Sequence, residues 1–388
     1  MRIGSRLGLF ADFTAARLRF RRRTEDPAAG RRREILVIRC DRIGDFALWA
    51  PFAAALRAAF PAPEYRLTLL GNELWLPLAR VVLDFDDCLG IEPRRFTTER
   101  RYRRKLLDTI RATPWAEVWQ CRPFREPWVE DLIALTAAAP RTVGFAAGAH
   151  RIHPRAGRHA DVAYTELVSA DDLAHEISKN AAFAAAASAG RVPAARTECF
   201  RRLPEPPAPW RRGGYAVLLP GGSKDPRCRW AAEFFAELCR TELPELPVAI
   251  AGTADELPVL RRAADAIGPR AVPVGDLALP EFAALVAGAR IVVGNDTGGI
   301  HLAAMSGVPA AAAVGAGVPK WFFPYPGGAE TLPEGAAAPE CALGECSDAG
   351  CFWQCRHPDA GGMYPCFAAV TVDAMRDAVR RAVAKIAK

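Results

Sequence analysis

The chain has 388 residues, half of them apolar, and a net charge of +7; this length fits two domains of typical size, and this composition excludes a disordered chain. Residues 1–33 hold ten arginines against Asp12, Glu25 and Asp26, an excess of seven, so the rest is neutral. That distribution excludes a globally basic surface for nucleic acid, and no apolar run reaches the roughly 20 residues of a membrane-spanning helix.

In the first 33 residues Ile3, Leu7, Phe10, Phe13 and Leu18 recur at near-helical spacing among arginines, followed by "RFRRR". The pattern reads as a basic amphipathic helix suited to an anionic membrane surface, with a frayed arm or an overcalled start as the alternative. It lacks the continuous apolar core and cleavage pattern of a signal peptide.

From residue 34 apolar runs alternate with helical patterns, which predicts α/β architecture with parallel sheets covered on both faces. Predicted strands of the first half are "ILVIRC", "YRLTLL", "VVLDF", "AEVWQ" and "RTVGF", with helices over 46–59 and 127–139 and a helix end in "AAFAAAASAG". The segment "RVPAARTECFRRLPEPPAPWRRGG" carries five prolines and no periodicity, the composition of a stiff linker. In the second half the strands are "YAVLLP", "PVAIAG", "AVPVG", "RIVVGN" and "PAAAAVG", with helices near 231–241, 255–267, 279–289 and 299–307. The expected organisation is an arm (1–33), a first Rossmann-like domain (34–190), a linker (191–213, boundary near 205), a second Rossmann-like domain (214–335), and a cysteine-rich segment with a C-terminal helix (336–388). Ligands of open α/β sheets bind beyond the carboxyl ends of the strands, so those loops are where chemistry is expected.

Three loops stand out. After the first strand, "CDRIGDF" holds Asp41, Arg42, Gly44 and Asp45 before a helix. Arg42 could orient an anionic acceptor or simply pair with Asp41. "LLPGGSKDPRCRW" places Gly221, Gly222 and Ser223 in a turn with Lys224, Arg227 and Arg229 at a helix entrance, a candidate anion cradle. "VVGNDTGGIH" places Asp296, Thr297, Gly298 and Gly299 between strand and helix, with His301 one turn in. The loop amides suit a phosphate, and Asp296 suits sugar hydroxyls because an acid repels that anion. A plain N-cap followed by a glycine turn is the other reading. There is no G-x-G-x-x-G after the first strand and no G-x-x-x-x-G-K-[ST], and no D-x-D or H-E-x-x-H arrangement offers a catalytic metal site.

The three segments "ILVIRCDRIGDFALWAPFAAALRAAFP", "LLPGGSKDPRCRWAAEFFAEL" and "VVGNDTGGIHLAAMSGVPAAAAVGAGVPKWFFPYP" together resemble glycosyltransferase family 9, the ADP-heptose:lipopolysaccharide heptosyltransferases. The resemblance implies a GT-B fold of two facing Rossmann-like domains with a cleft between them, and inverting transfer without a catalytic cofactor or metal. It implies Asp45 as base, Arg42 and Gly44 on the acceptor side, and Asp296 on the donor sugar. The loop amides and His301 would then hold the pyrophosphate. The partners implied are ADP-heptose and a lipopolysaccharide core acceptor, at the cytoplasmic face of the inner membrane, with no nucleic acid. A protein hydroxyl, another surface polysaccharide, or a catalytically silent nucleotide-sugar-binding protein are the alternatives. The last draws on Cys228, which stands where the family's Lys-x-Trp motif has its lysine before Trp230.

Of eleven cysteines, Cys341, Cys346, Cys351, Cys355 and Cys366 crowd the tail. Their spacing matches no common zinc module. Reduced thiols, a structural zinc or iron, and disulfides all remain open, and none is given a catalytic role.

Overall fold

Strands whose side chains are apolar on both faces can be satisfied only inside a helix-covered parallel sheet, and the chain builds two. The computed structural model describes residues 3–24, 32–146, 158–170, 173, 175–222, 225–317, 321–326, 332–348, 350–351 and 354–385, with side chains from residue 8 onward. It divides into two compact units, Met1–Ala195 and Arg196–Lys388.

Unit 1 runs α1 (Ile3–Arg19), β1 (Arg33–Arg39), α2 (Ile43–Ala59), β2 (Tyr65–Asn72), α3 (Leu76–Val82), β3 (Asp87–Ile91), α4 (Pro93–Thr98), α5 (Arg100–Ala112), β4 (Glu117–Gln120), α6 (Leu132–Ala137), β5 (Arg141–Phe145), β6 (Glu166–Val168) and α7 (Glu176–Ala187). The six strands lie in the order β3-β2-β1-β4-β5-β6, all parallel. Strand β1 is central, with Ile35 to Ile38 no more than 1% exposed, so the turn at its carboxyl end sits at the middle of the sheet.

Unit 2 runs β7 (Ala216–Leu219), α8 (Ala232–Glu242), β8 (Val248–Ala251), α9 (Leu257–Ile267), β9 (Ala271–Val274), α10 (Leu279–Ala287), β10 (Ile291–Asn295), α11 (Gly298–Met305), β11 (Ala310–Val314), β12 (Glu340–Leu343), α12 (Pro365–Ala368) and α13 (Val372–Ala384). Its order, β12-β11-β10-β7-β8-β9, is again all parallel. Strands β7 and β10 are central neighbours, which brings the two glycine-containing loops of the sequence side by side.

Four expectations are corrected. The basic arm is not detached: α1 buries Leu9 and Phe13, Phe13 meets Trp128 edge-on with centroids 5.0 Å apart, and Asp12 pairs with the buried Arg103 at 2.7 Å. Part of its apolar face, Leu9 and Phe13, is therefore spent on unit 1, while Phe10 and Leu18 stay exposed. The run "VVLDF" ends a helix instead of forming a strand, because Leu76, Ala79 and Val82 are buried at helical spacing behind a proline in the first turn; the strand follows at Asp87–Ile91. The proline-rich stretch is no free linker, since Cys199, Phe200, Leu203 and Trp210 are buried and residues from Arg196 onward belong to unit 2. Finally, the cysteine-rich tail is part of the second domain. Strand β12 extends its sheet beside β11, and α13 packs Met375, Ala378, Val379 and Ala382 at the i, i+3, i+4, i+7 spacing of a core-facing stripe.

Candidate active site

In unit 1 the site grows from one buried cation. Arg39, the last residue of β1, has no exposed surface, and a guanidinium there requires partners on every side. Most are supplied: Nη2 donates to Glu176 Oε1 at 2.8 Å, Nη1 donates to the Cys121 carbonyl at 2.7 Å and to Asn180 Oδ1 at 3.0 Å, and Nε forms an ion pair with Asp41 Oδ2 at 2.7 Å without an aligned hydrogen bond. Glu176 and Asn180 come from α7, far along the chain, so this clamp is tertiary. The Asp41 carbonyl is fixed by Trp75 Nε1 at 2.9 Å and Asn72 Nδ2 at 3.0 Å.

Asp45 stands in the first turn of α2, where a carboxylate is favoured by the exposed amides and helix dipole. Its Oδ2 accepts the Arg42 backbone N–H at 3.2 Å, and it is half-buried, unlike Asp41. Carboxylate oxygens of Asp41, Asp45 and Glu176 lie within 4.8 Å of one another. Burial pushes the Asp41 carboxyl up to about 8 against the pull of Arg39, and burial likewise raises Glu176. Asp45 is thus the solvent-reaching member of an acid cluster whose other two members are enclosed with Arg39. Arg42 is exposed and does not pair with Asp41; that place is taken by Arg39. Gly44 is helical with no positive φ, so the turn does not depend on glycine's freedom.

In unit 2 the central residue is Asn295, 1% exposed at the end of β10. Its Nδ2 donates to the carbonyls of Pro220 (2.9 Å) and Gly221 (3.2 Å), and its Oδ1 accepts the Trp230 backbone N–H at 2.8 Å. One amide therefore ties the "GG" loop, the "CRW" segment and the "NDTGG" loop together. Thr297 caps α11; its Oγ1 is buried with no hydrogen-bond partner among the described residues, and its methyl packs at Gly222, whose φ of +134° demands glycine. Gly298 opens the helix. Gly299 serves packing: a Cβ there would lie 2.5 Å from Leu219 Cδ1, so the close approach is helix to strand and not backbone to ligand.

Several sequence candidates land elsewhere than their motifs suggest. Ser223 and Lys224 lie outside the described residues. Arg227 is bound to Asp225 through Nε (3.0 Å) and Nη2 (2.8 Å) and lies over the Tyr364 ring, and these bonds hold the Asp225 carboxyl well below the usual range. Arg229 lies 4.0 Å from Glu256 Oε1. His301 is 3% exposed, stacked on Phe323 with its Nδ1 2.7 Å from the Tyr325 hydroxyl, the position of a helix-packing residue. Sequence reading missed Glu256. Its Oε1 accepts the Gly222 N–H at 2.6 Å and its Oε2 the Thr253 N–H at 2.8 Å, so a carboxylate already occupies part of the presumed anion cradle. The only signal for it was T-x-x-E, a capping-box spacing. It missed Arg39, Glu176 and Asn180 as well.

The tail cysteines are not evenly placed. Cys346, Cys351 and Cys355 lie around Cys366, but Cys341 stands apart beside Asp296 and Glu340. Among the described residues, Asp41, Asp45 and Glu176 are the group of three whose candidate ligand atoms all lie within 4.8 Å of one another. All the cysteines are free thiols.

Two doubly wound parallel sheets, each with its polar loops beyond the carboxyl ends of the central strands, define a GT-B-type glycosyltransferase fold. The sequence model of glycosyltransferase family 9 (heptosyltransferase) matches residues 134–332. The chain belongs to this family and is a glycosyltransferase. Among solved structures, the E. coli heptosyltransferase WaaC with ADP-2-deoxy-2-fluoro heptose is 16% identical with a TM-score of 0.65, over 90% of this chain and 99% of that one. E. coli ADP-heptose lps heptosyltransferase II is 16% identical, TM-score 0.62, over 92% and 100%. A glycosyl transferase family 9 protein from Veillonella parvula is 17% identical, TM-score 0.64, over 91% and 97%. No curated protein sequence matches the chain.

Proposed function

We propose that the protein transfers heptose from ADP-heptose to a sugar hydroxyl of a lipopolysaccharide inner-core acceptor, with inversion and without a catalytic metal, at the cytoplasmic face of the inner membrane. The observation that carries the reading is the Asp45 carboxylate at the head of α2, beside a fully buried arginine clamp. The donor is supported by the ADP-2-deoxy-2-fluoro heptose and the ADP held by the E. coli WaaC structures that this fold matches.

In this reading Asp45 takes the proton of the acceptor hydroxyl as its oxygen bonds to the anomeric carbon. The bond from that carbon to the diphosphate breaks from the opposite face, and ADP leaves with its charge met by the Thr297–Gly299 amides opening α11 and by Arg229. Asp296, with Glu256 beside the glycine turn, accepts donor hydroxyls, since carboxylates at those places would repel phosphate. Arg42, exposed next to Asp45, faces an anionic acceptor. The acid cluster is a cation-binding shape, but Arg39 already supplies a fixed positive charge to both Asp41 and Glu176, which supports a metal-free mechanism. Cys346, Cys351, Cys355 and Cys366, gathered in one region, would suit a structural zinc or iron that takes no part in the transfer.

The competing reading is a silent nucleotide-sugar-binding protein. It draws on Cys228 being 6% exposed where the family motif has a cation, and on Arg227 being held by Asp225. One experiment separates the two. ADP-heptose should raise the melting temperature and, with a soluble inner-core acceptor, release ADP. Stabilisation without ADP release selects the silent binder, and no stabilisation removes ADP-heptose as donor.

A further inference from the structure

We propose that unit 1 carries a binding groove for an anionic phospholipid, formed where α1 and the residues after it cross α5 and α6. The groove encloses ≈ 640 Å³ and none of its residues belongs to the Asp45 turn.

Its chemistry is divided by level. The floor is apolar, from Leu107, Leu135 and the half-buried Phe20. The rim is cationic, from Arg19, Arg21 and Arg104, all exposed. Two acids line it, but both are already neutralised: Asp12 pairs with Arg103 at 2.7 Å and Asp108 with Arg111 at 2.5 Å. Arg19 and Arg104 have no carboxylate within 4.0 Å among the described residues. Helix α5 explains why the charge collects here. It turns Arg103, Leu107 and Ile110 inward, which leaves Arg100, Arg101, Arg104 and Lys105 on its outer face around a second, more open depression.

A trough with a leucine floor and an arginine rim fits a molecule that joins an acyl chain to a phosphate. Free phosphate has no use for the floor, and a nucleic acid backbone needs the cations without it. Leu18, beside Arg19 and 71% exposed, adds apolar surface at the same end of α1. Each arginine close to an anionic lipid surface strengthens attachment about fivefold, so the rim as a set suffices for reversible binding. The inference is independent of the glycosyl-transfer reading, since it concerns where the protein sits and not what it transfers.

The test uses the full chain and vesicles of phosphatidylglycerol with phosphatidylcholine, against vesicles of phosphatidylcholine alone. The protein should sediment with the first and not with the second. The double variant Arg19→Glu, Arg104→Glu should weaken sedimentation at least about 20-fold while leaving the melting temperature and ADP-heptose stabilisation unchanged. Arg211→Glu with Arg212→Glu, in unit 2, should change it less than twofold. Soluble dihexanoyl phosphatidylglycerol should compete, whereas glycerol phosphate and duplex RNA at the same concentration should not. Equal binding to both vesicles, no effect of the double variant, or equal competition by glycerol phosphate or RNA would overturn the proposal. If the double variant unfolds, Arg19→Gln with Arg104→Gln replaces it, with a loss of at least about fivefold required.

Discussion

The turn after β1 and the turn after β10 each leave a central strand of a parallel six-stranded sheet, β10 holding the place that β4 has in the first sheet, yet they are held by opposite means. The first is ionic: a guanidinium with no exposed surface balances Asp41 and Glu176 and leaves Asp45 half-exposed at the helix head. The second is neutral: Asn295 joins three segments through amide hydrogen bonds, and Gly299 lets α11 approach β7. Charge aimed at solvent suits proton transfer, and backbone amides at a helix start suit a diphosphate. One architecture thus carries a half-exposed carboxylate at one turn and, at the other, a glycine loop tied by an amide and joined by the Glu256 carboxylate.

The contrast can be broken by mutation, and the largest effect is expected at Asp45. Asp45→Asn should lower kcat at least about 100-fold, the scale of a lost general base, while ADP-heptose still raises the melting temperature; unchanged turnover would end the assignment. Arg39→Met should come next, destabilising the protein by about 3–5 kcal/mol because two buried carboxylates lose their counter-charge. Urea unfolding reads this directly, and a loss below about 1 kcal/mol would mean the clamp is ornamental. At the neutral turn, Asn295→Ala strands the Trp230 N–H and two carbonyls, for about 1–3 kcal/mol. It should raise the apparent Kd for ADP by a larger factor than it lowers kcat, and a loss confined to kcat would place Asn295 in the chemistry.

The smallest expected effect is on pH dependence, and it sharpens the ionic side of the comparison. Burial raises Asp41 to about 8, Glu126 to about 7 and Asp131 to about 6, above the value near 4 of an unfolded carboxyl. The folded state therefore keeps protons that the unfolded chain releases above about pH 4, so these groups stabilise most in acid and lose that contribution as pH rises through their folded values. Thermal melts from pH 5 to 8.5 should show falling stability, with a flatter slope in Asp41→Asn. An unchanged slope would show that Asp41 is ionised beside Arg39 throughout.

The strand–turn–helix joints that carry Asp45, Asp296 and Thr297 were legible in the sequence because each signal is local: a buried strand, a small or acidic turn, and a helix start within a dozen residues. Strand β3 was misread because a short apolar run carries no period long enough to separate helix from strand. Arg39 was invisible as a clamp, since an arginine ending a strand looks like a surface residue until Glu176 and Asn180 arrive from α7. Glu256 was missed for the same reason, lying 34 positions from the Gly222 amide that it accepts.

By itself the sequence determined the two-sheet α/β architecture, the family, and which strand ends carry polar loops, because alternation of buried strands with helices and turn chemistry are written in neighbouring residues. Only the tertiary structure decided which charges are spent. It paired Arg227 with Asp225, packed His301 against Tyr325, docked α1 on its own domain and gathered Cys346, Cys351 and Cys355 around Cys366. The physical reason is that a side chain's partner is set by which strands and helices become neighbours, and sheet order joins residues more than a hundred positions apart.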